Sequence, residues 1–277
     1  MSAWHKLLEK PHARGHLVQL YGVDDPSLIR NVSQYLWGGL KRGGGALVIA
    51  TPEHRDKFCE ELDLLGAGTE SAVEEKRLVF LDAQQTISSF MAGGQPDWEK
   101  FQDAVGAAMC EVSPGSAQAR ANGAGLRAYG EMVGLLWDQG QFAAAIRLEQ
   151  FWNKLLARSA FSLYCAYAID IFDKEFQVGA LDAILSAHTH FVPGETQGSL
   201  ENAVNLAMNE ILGSKADGLR ILIKENYSSS WAVMPKGEAI ILWLRKNVPD
   251  RAEQIVARAR DYYRSVAVQN QPAPVIE

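Results

Sequence analysis

The chain has 277 residues, 47% hydrophobic, 22% charged and 9% aromatic. Disorder as the main state is excluded, because this much apolar material can bury a sizeable core. Its 27 basic and 33 acidic side chains leave a net charge of −6 with no basic block, so no direct nucleic-acid partner is expected.

Cys59, Cys110 and Cys165 lie about fifty residues apart with no CxxC pair, the pattern of reduced thiols and not of a disulfide frame or zinc knuckle. No apolar run approaches the ~20 residues that span a bilayer, and the first residues lack the apolar core of a signal peptide. The expectation is a cytoplasmic protein with no membrane partner.

Five short runs rich in Val, Leu, Ile, Phe and Tyr follow one another: His16–Tyr21, Ala46–Thr51, Arg77–Ala83, Gly125–Tyr129 and Phe161–Tyr167. Near-continuous apolar character over so few residues predicts strands buried on both faces of a parallel sheet. Between them, helices are predicted at Pro26–Leu40 (capped by Asp25), Pro52–Leu65 (capped by Thr51), Trp98–Val112 and Phe142–Arg158. The alternation predicts an α/β fold, a doubly wound and mostly parallel sheet over residues 16–195, preceded by an N-terminal extension, 1–15.

Ser113–Gly125 reads as a small-residue loop, Gly179–Phe191 as a helix and Pro193–Gly198 as a linker. Residues 198–266 are then expected to form a smaller α+β module, docked on the sheet domain without joining its sheet. The predicted parts are a helix at Ser199–Leu212, a hairpin of Leu219–Lys224 and Ser229–Met234 around Asn226-Tyr227-Ser228, and helices at Gly237–Asn247 and Arg251–Val266. This stretch, from 198 to the end, is nearly neutral, with ten basic and nine acidic residues. Ile240 to Leu244 need a packing partner, inside the module or on a second chain. Residues 267–277 read as a frayed tail.

Ligands of open parallel sheets bind outside the carboxyl ends of the strands, so those ends select the candidates. The turn after the first strand holds Asp24 and Asp25 and no lysine, where a phosphate-binding loop needs GxxxxGK[ST]. Nucleotide hydrolysis by that mechanism is not expected. His54 and Arg55 open a helix after the second strand, and together they suit an anionic or carbonyl-bearing ligand. Local pairing of Arg55 to Glu53 or Asp56 is the competing account.

Asp82 ends the third strand. Arg127, Tyr129 and Glu131 alternate along the fourth, as either ligand anchors or a buried structural Arg–Glu pair. Tyr129, Trp152 and Tyr167 are candidates for an apolar pocket wall, or plain core. His188 and His190 form an HxH without a third ligand nearby in sequence, which favours a helix-end cap over a metal. No metal, cofactor or catalytic residue is assigned.

One long string remains: Arg127-Ala128-Tyr129-Gly130-Glu131-Met132-Val133-Gly134-Leu135-Leu136-Trp137, then Leu148-Glu149-Gln150-Phe151-Trp152-Asn153, then Cys165-Ala166-Tyr167. With Ala50-Thr51-Pro52-Glu53-His54-Arg55 and Leu81-Asp82-Ala83 upstream, it resembles the MEDS domain. This is the methanogen/methylotroph sensory domain named after a regulator of dichloromethane metabolism. The resemblance covers residues 12–195.

It implies a RecA/KaiC-like fold that lost its phosphate-binding loop. The implied role is sensing a small organic ligand, such as a hydrocarbon derivative, in signal transduction or transcription regulation. Implied partners are a regulatory protein, such as a kinase or transcription factor, and a second copy in a homodimer. The sequence departs from the dichloromethane regulator in having only about fifteen residues before the first strand, and no recognisable output motif after residue 198. Two further readings stand beside it. One is an enzyme using the strand-end cluster of His54, Arg55, Asp82 and Glu131. The other is a degenerate nucleotide-binding protein without hydrolysis.

Overall fold

The five apolar runs become strands within a residue of their predicted limits. They are β1 (His16–Leu20), β2 (Gly45–Ala50), β3 (Leu78–Asp82) and, beyond a two-rung hairpin of β4 (Met91–Ala92) and β5 (Gln95–Pro96), β6 (Leu126–Gly130) and β7 (Phe161–Tyr167). The computed structural model describes residues 3–22, 26–113, 125–194, 199–226 and 233–269. A sixth sheet strand, β8 (His190–Phe191), completes an all-parallel sheet in the order β3-β2-β6-β7-β1-β8.

Alternate residues of each strand serve two cores, one on each face of the sheet. On one face, Leu17, Val48, Tyr129 and Tyr164 pack with Val32 and Leu36 of helix Ser27–Leu40 and with Phe58 and Leu62 of helix Pro52–Leu64. On the other, Val18, Ile49, Ala128 and Leu163 pack under helices Ala83–Phe90, Phe142–Arg158 and Val178–Ala187. Each such aliphatic side chain contributes roughly 1.5–3 kcal/mol by leaving water. Helix Pro52–Leu64 starts as its sequence dictates, with Pro52 in the first turn and the Thr51 hydroxyl accepting from His54 N.

Some expectations are corrected. The Gly179–Phe191 helix stops at Ala187, and its last residues supply β8, too short for a period-2 pattern to reveal. The helix at Trp98–Val112 is interrupted by a π-helical turn at Gln102–Gly106. Leu219–Lys224 is no hairpin strand. It lies in helix Lys215–Asn226, where Ala216 and Ile223 are buried while Ile221 and Leu222 stay exposed. A one-sided apolar stripe of that kind suits a helix, not a strand.

The other half of the predicted hairpin falls mostly on residues 227–232, which lie outside the described residues, as do Asp24, Asp25, most of the 113–125 loop, residues 195–198 of the linker and the end of the tail. Nor does the C-terminal part stay clear of the sheet. Val233 bridges His190 in parallel, donating to Thr189 O and accepting from Phe191 N. Val204, Met208, Ile241, Leu244 and Ile255 belong to the same contiguous core as β7 and helix Phe142–Arg158.

Candidate functional site

Two crevices open at the carboxyl ends of the strands. Helix Pro52–Leu64 leaves β2 on one face, and helix Met132–Asp138 leaves β6 on the other. Likewise helix Ser27–Leu40 leaves β1 on the first face, while the chain after β7 runs to helix Val178–Ala187 on the second. Neighbouring strands whose connections part in this way form a topological switch point, where α/β proteins bind ligands.

In the β2/β6 crevice, Glu131 gathers three donors. Its carboxylate accepts the Thr51 backbone N–H, the Tyr129 hydroxyl at 3.0 Å and the His54 imidazole at 2.5 Å. Glu131 and Tyr129 are buried, while the His54 side chain keeps 20% exposure. Tyr21, at the end of β1, meets His54 edge-on with ring centroids 6.1 Å apart, and burial next to Glu131 raises its phenol pKa. Chemically this is an imidazole oriented by a carboxylate, and also a clasp that ties the end of β6 to the helix after β2.

Of the residues picked out by sequence, then, His54, Tyr129 and Glu131 come together. The others do not join them. Arg55 is exposed and forks onto Asp56, the local pairing weighed above. Asp82 caps helix Ala83–Phe90 by accepting from Gln85 N. Arg127 is buried at the opposite end of β6. It donates to the carbonyls of Leu8, Glu9 and Tyr35, and burial pushes its pKa down to about 10. Its charge serves backbone oxygens, not Glu131. Trp152 and Tyr167 lie on the other face of the sheet from Tyr129, Trp152 against Phe101 and Tyr167 bonded to Glu149.

A cavity of about 420 Å³ opens at the β1/β7 switch point. Its floor is made by strand ends: Leu20 of β1 with Tyr21 and Gly22 after it, Ala168 and Asp170 after β7, and Phe191 of β8. Its opposite wall comes from the C-terminal helices Lys236–Asn247 and Pro249–Gln269, through Glu238, Arg260, Tyr263 and Arg264. Arg260 reaches Asp170 at 3.1 Å and Asp173 at 3.7 Å, and the Tyr263 ring packs on Phe172. Arg245, from the same part, holds the loop after β7 by donating to the carbonyls of Phe176 and Phe172 at 2.6 and 2.9 Å.

Burial raises the Glu238 carboxyl to about 7, so this wall carries an acid that titrates near neutrality. Sequence reasoning overlooked Glu238, Arg260 and Tyr263. Only the fold brings them to the strand ends, and no local pattern announces that.

A second polar group lies under helix Phe142–Arg158. His16 of β1, Glu149 of that helix, Cys165 of β7 and His188 just past helix Val178–Ala187 are all buried, with ligand-type atoms within 4.8 Å of one another. Burial pushes His16 down to about 3 and leaves it neutral. Burial also works against the Glu149 carboxylate. A protonated His188 facing it, with the Tyr167 hydroxyl donating, outweighs that burial and holds the group at about 2 in the metal-free chain. Among the described residues this group has the donor set for a metal. The helix-end cap expected of His188 is real, since its Nδ1 meets Ile184 O at 2.6 Å.

The family model of the methanogen/methylotroph, DcmR sensory domain, MEDS, matches residues 15–189, which is more than half of the chain. The chain belongs to the MEDS family. Its coarse role is therefore sensory and regulatory. No curated protein matches the chain. Among the described residues, no helix is long and apolar enough to cross a membrane. The MEDS match includes Tyr21, His54, Glu131 and Asp170 and ends at Thr189, so Glu238, Arg260 and Tyr263 lie beyond it. The cavity is shared between the MEDS domain and the helices that follow.

Proposed function

We propose that this protein is a ligand-sensing regulator that binds a small organic molecule in the cavity at the ends of β1, β7 and β8. Occupancy is passed to a partner through the C-terminal helices, without catalysis. One observation carries this reading: the cavity has a floor of MEDS strand ends and a wall of C-terminal helix. A molecule held between them changes how the two parts pack, which is the requirement for a signal. The lining suits a compact, partly polar hydrocarbon derivative, because it mixes the aromatic rings of Tyr21, Phe172 and Tyr263 with the polar groups of Asp170, Arg260 and Glu238.

The test is calorimetric titration with short oxygenated and halogenated hydrocarbons and with nucleotides, repeated on Ala168→Phe. Ala168 is exposed and lines the cavity, so the larger side chain fills space without entering the core. Binding should weaken at least tenfold with an unchanged melting temperature. Equal affinity in the variant would place the ligand elsewhere, and preferential nucleotide binding would favour a degenerate NTPase.

The His54–Glu131 pair supports a second reading, an enzyme with His54 as general base. A turnover that His54→Ala abolishes, with folding intact, would establish it.

A further inference from the structure

We infer that His16, Glu149, Cys165 and His188 form a buried four-ligand site for a divalent transition metal, with zinc the favoured ion.

The argument starts from hydrogen-bond roles. His16 Nδ1 faces two acceptors, Asn153 Oδ1 at 3.0 Å and Ala187 O at 3.1 Å. Asn153 is fixed in that orientation because its amide nitrogen donates to Ala187 O at 3.0 Å. His188 Nδ1 faces Ile184 O at 2.6 Å. Both Nδ1 atoms therefore carry a proton. His16 is neutral, so its Nε2 presents a lone pair, and His188 Nε2 presents one wherever the ring does not hold a second proton against Glu149.

Those lone pairs point at other electron-rich atoms. His16 Nε2 lies 3.4 Å from Cys165 Sγ and 3.4 Å from Glu149 Oε2, and His188 Nε2 lies 3.4 Å from Glu149 Oε1. His188 Nε2 is fully buried and makes no hydrogen bond. In the metal-free chain the Cys165 thiol, with Sγ 3.4 Å from His16 Nε2 and 4.0 Å from Glu149 Oε2, is a weak donor among several electron-rich atoms, and a cation at their centre satisfies them all.

The spacing fits. Tetrahedral zinc with bonds of ~2.0–2.3 Å sets its ligand atoms roughly 3.3–3.6 Å apart. His16 Nε2 lies 3.4 Å from both Cys165 Sγ and Glu149 Oε2, and Cys165 Sγ lies 4.0 Å from Glu149 Oε2. His188 Nε2 lies 3.4 Å from the other carboxylate oxygen, and all four ligand atoms fall within 4.8 Å of one another. Charge fits as well. On binding, the thiol S–H bond breaks, its proton passes to solvent and an S–Zn bond forms. Thiolate and carboxylate then neutralise the dication, so no net charge is left in the core.

Outer partners are in place too. Carbonyl and amide oxygens orient both imidazoles, and the Tyr167 hydroxyl donates to Glu149 Oε1 at 2.5 Å. Two imidazoles, a thiolate and a carboxylate, with no side left for substrate, describe a closed structural zinc site.

The test uses the full chain without a metal-binding tag, produced with zinc in the medium. Elemental mass spectrometry should find about one zinc per chain. Cobalt-loaded protein should show a thiolate-to-cobalt charge-transfer band together with intense visible bands of tetrahedral Co(II). Cys165→Ser should lose the charge-transfer band, and His188→Ala should lose most of the metal. His190→Ala, outside the group, should keep it.

The proposal is overturned if the folded native chain carries less than about a tenth of an equivalent of metal, both as isolated and after incubation with zinc. In that case His188 and Glu149 are an ion pair only. It is also overturned if Cys165→Ser and Glu149→Gln fold and retain a full equivalent. Should these variants fail to fold, the native chain's cobalt spectrum decides, since absence of a thiolate band refutes the site.

Discussion

The side chain of Arg127 runs across Gly39 so closely that a Cβ on Gly39 would sit 2.7 Å from Arg127 Cδ. Arg127 cannot retreat, because its guanidinium is anchored on the carbonyls of Leu8, Glu9 and Tyr35. Glycine in a helix interior is normally unfavourable by about 1 kcal/mol relative to alanine. Here Gly39→Ala should reverse that sign and destabilise by about 1–3 kcal/mol in urea denaturation. In an Arg127→Ala background the same change should become neutral or stabilising, and a double-mutant cycle measures that coupling.

Glu131 holds the β2/β6 crevice shut. Glu131→Ala leaves the buried Tyr129 hydroxyl and the Thr51 N–H without their acceptor. The expected loss is about 3 kcal/mol, against about 1–2 kcal/mol for Glu131→Gln, which keeps one acceptor oxygen. Equal losses in the two variants would show that the carboxylate geometry is immaterial.

The Glu238 contribution to stability should fall as pH rises from about 5 to about 7. Below about 6.5 it is opposed by His16, whose folded value of about 3 lies under the ordinary 6.5. The folded value of Glu238, about 7, lies above the ordinary 4.5, so in that window the folded chain keeps a proton that the unfolded chain has released. The contribution is intact below 4.5 and is lost as pH climbs through 7. A difference of about 2.5 pH units corresponds to about 3 kcal/mol. Glu238→Gln should remove this downward contribution from the profile. An unchanged slope would assign the effect to another group.

Removing residues 199–277 should abolish cooperative folding and not release a stable sensor. Val204, Met208, Ile241 and Leu244 are continuous with the core over β7, and Val233 pairs with β8. The truncated chain should bind a hydrophobic dye and lose its sharp thermal transition. A truncated chain that melts sharply would establish two independent units.

The strands were legible because burial makes most of each run apolar, as in Phe161–Tyr167, every residue of which is buried. Glu131, Tyr129 and His54 were legible as a site because strand ends are singled out by topology alone. Arg127 misled: alternation along β6 correctly placed it on the face of Tyr129, but two residues of strand move a side chain nearly 7 Å, toward the other end of the sheet.

The cavity wall was invisible because Glu238 and Arg260 are some seventy to ninety residues away from Asp170 in sequence. The His16 group was hidden for the same reason, with ligand candidates at 16, 149, 165 and 188 and no short spacing to betray them.

Val233 has a further effect through its bridge to His190. An open parallel sheet normally exposes two edges to other chains, and here, among the described residues, Val233 already occupies part of the β8 edge. The remaining edge, β3, follows Glu75, Lys76 and Arg77 and ends in Asp82, charges that disfavour strand addition. Both borders of the sheet thus carry features that disfavour the edge-to-edge stacking of copies.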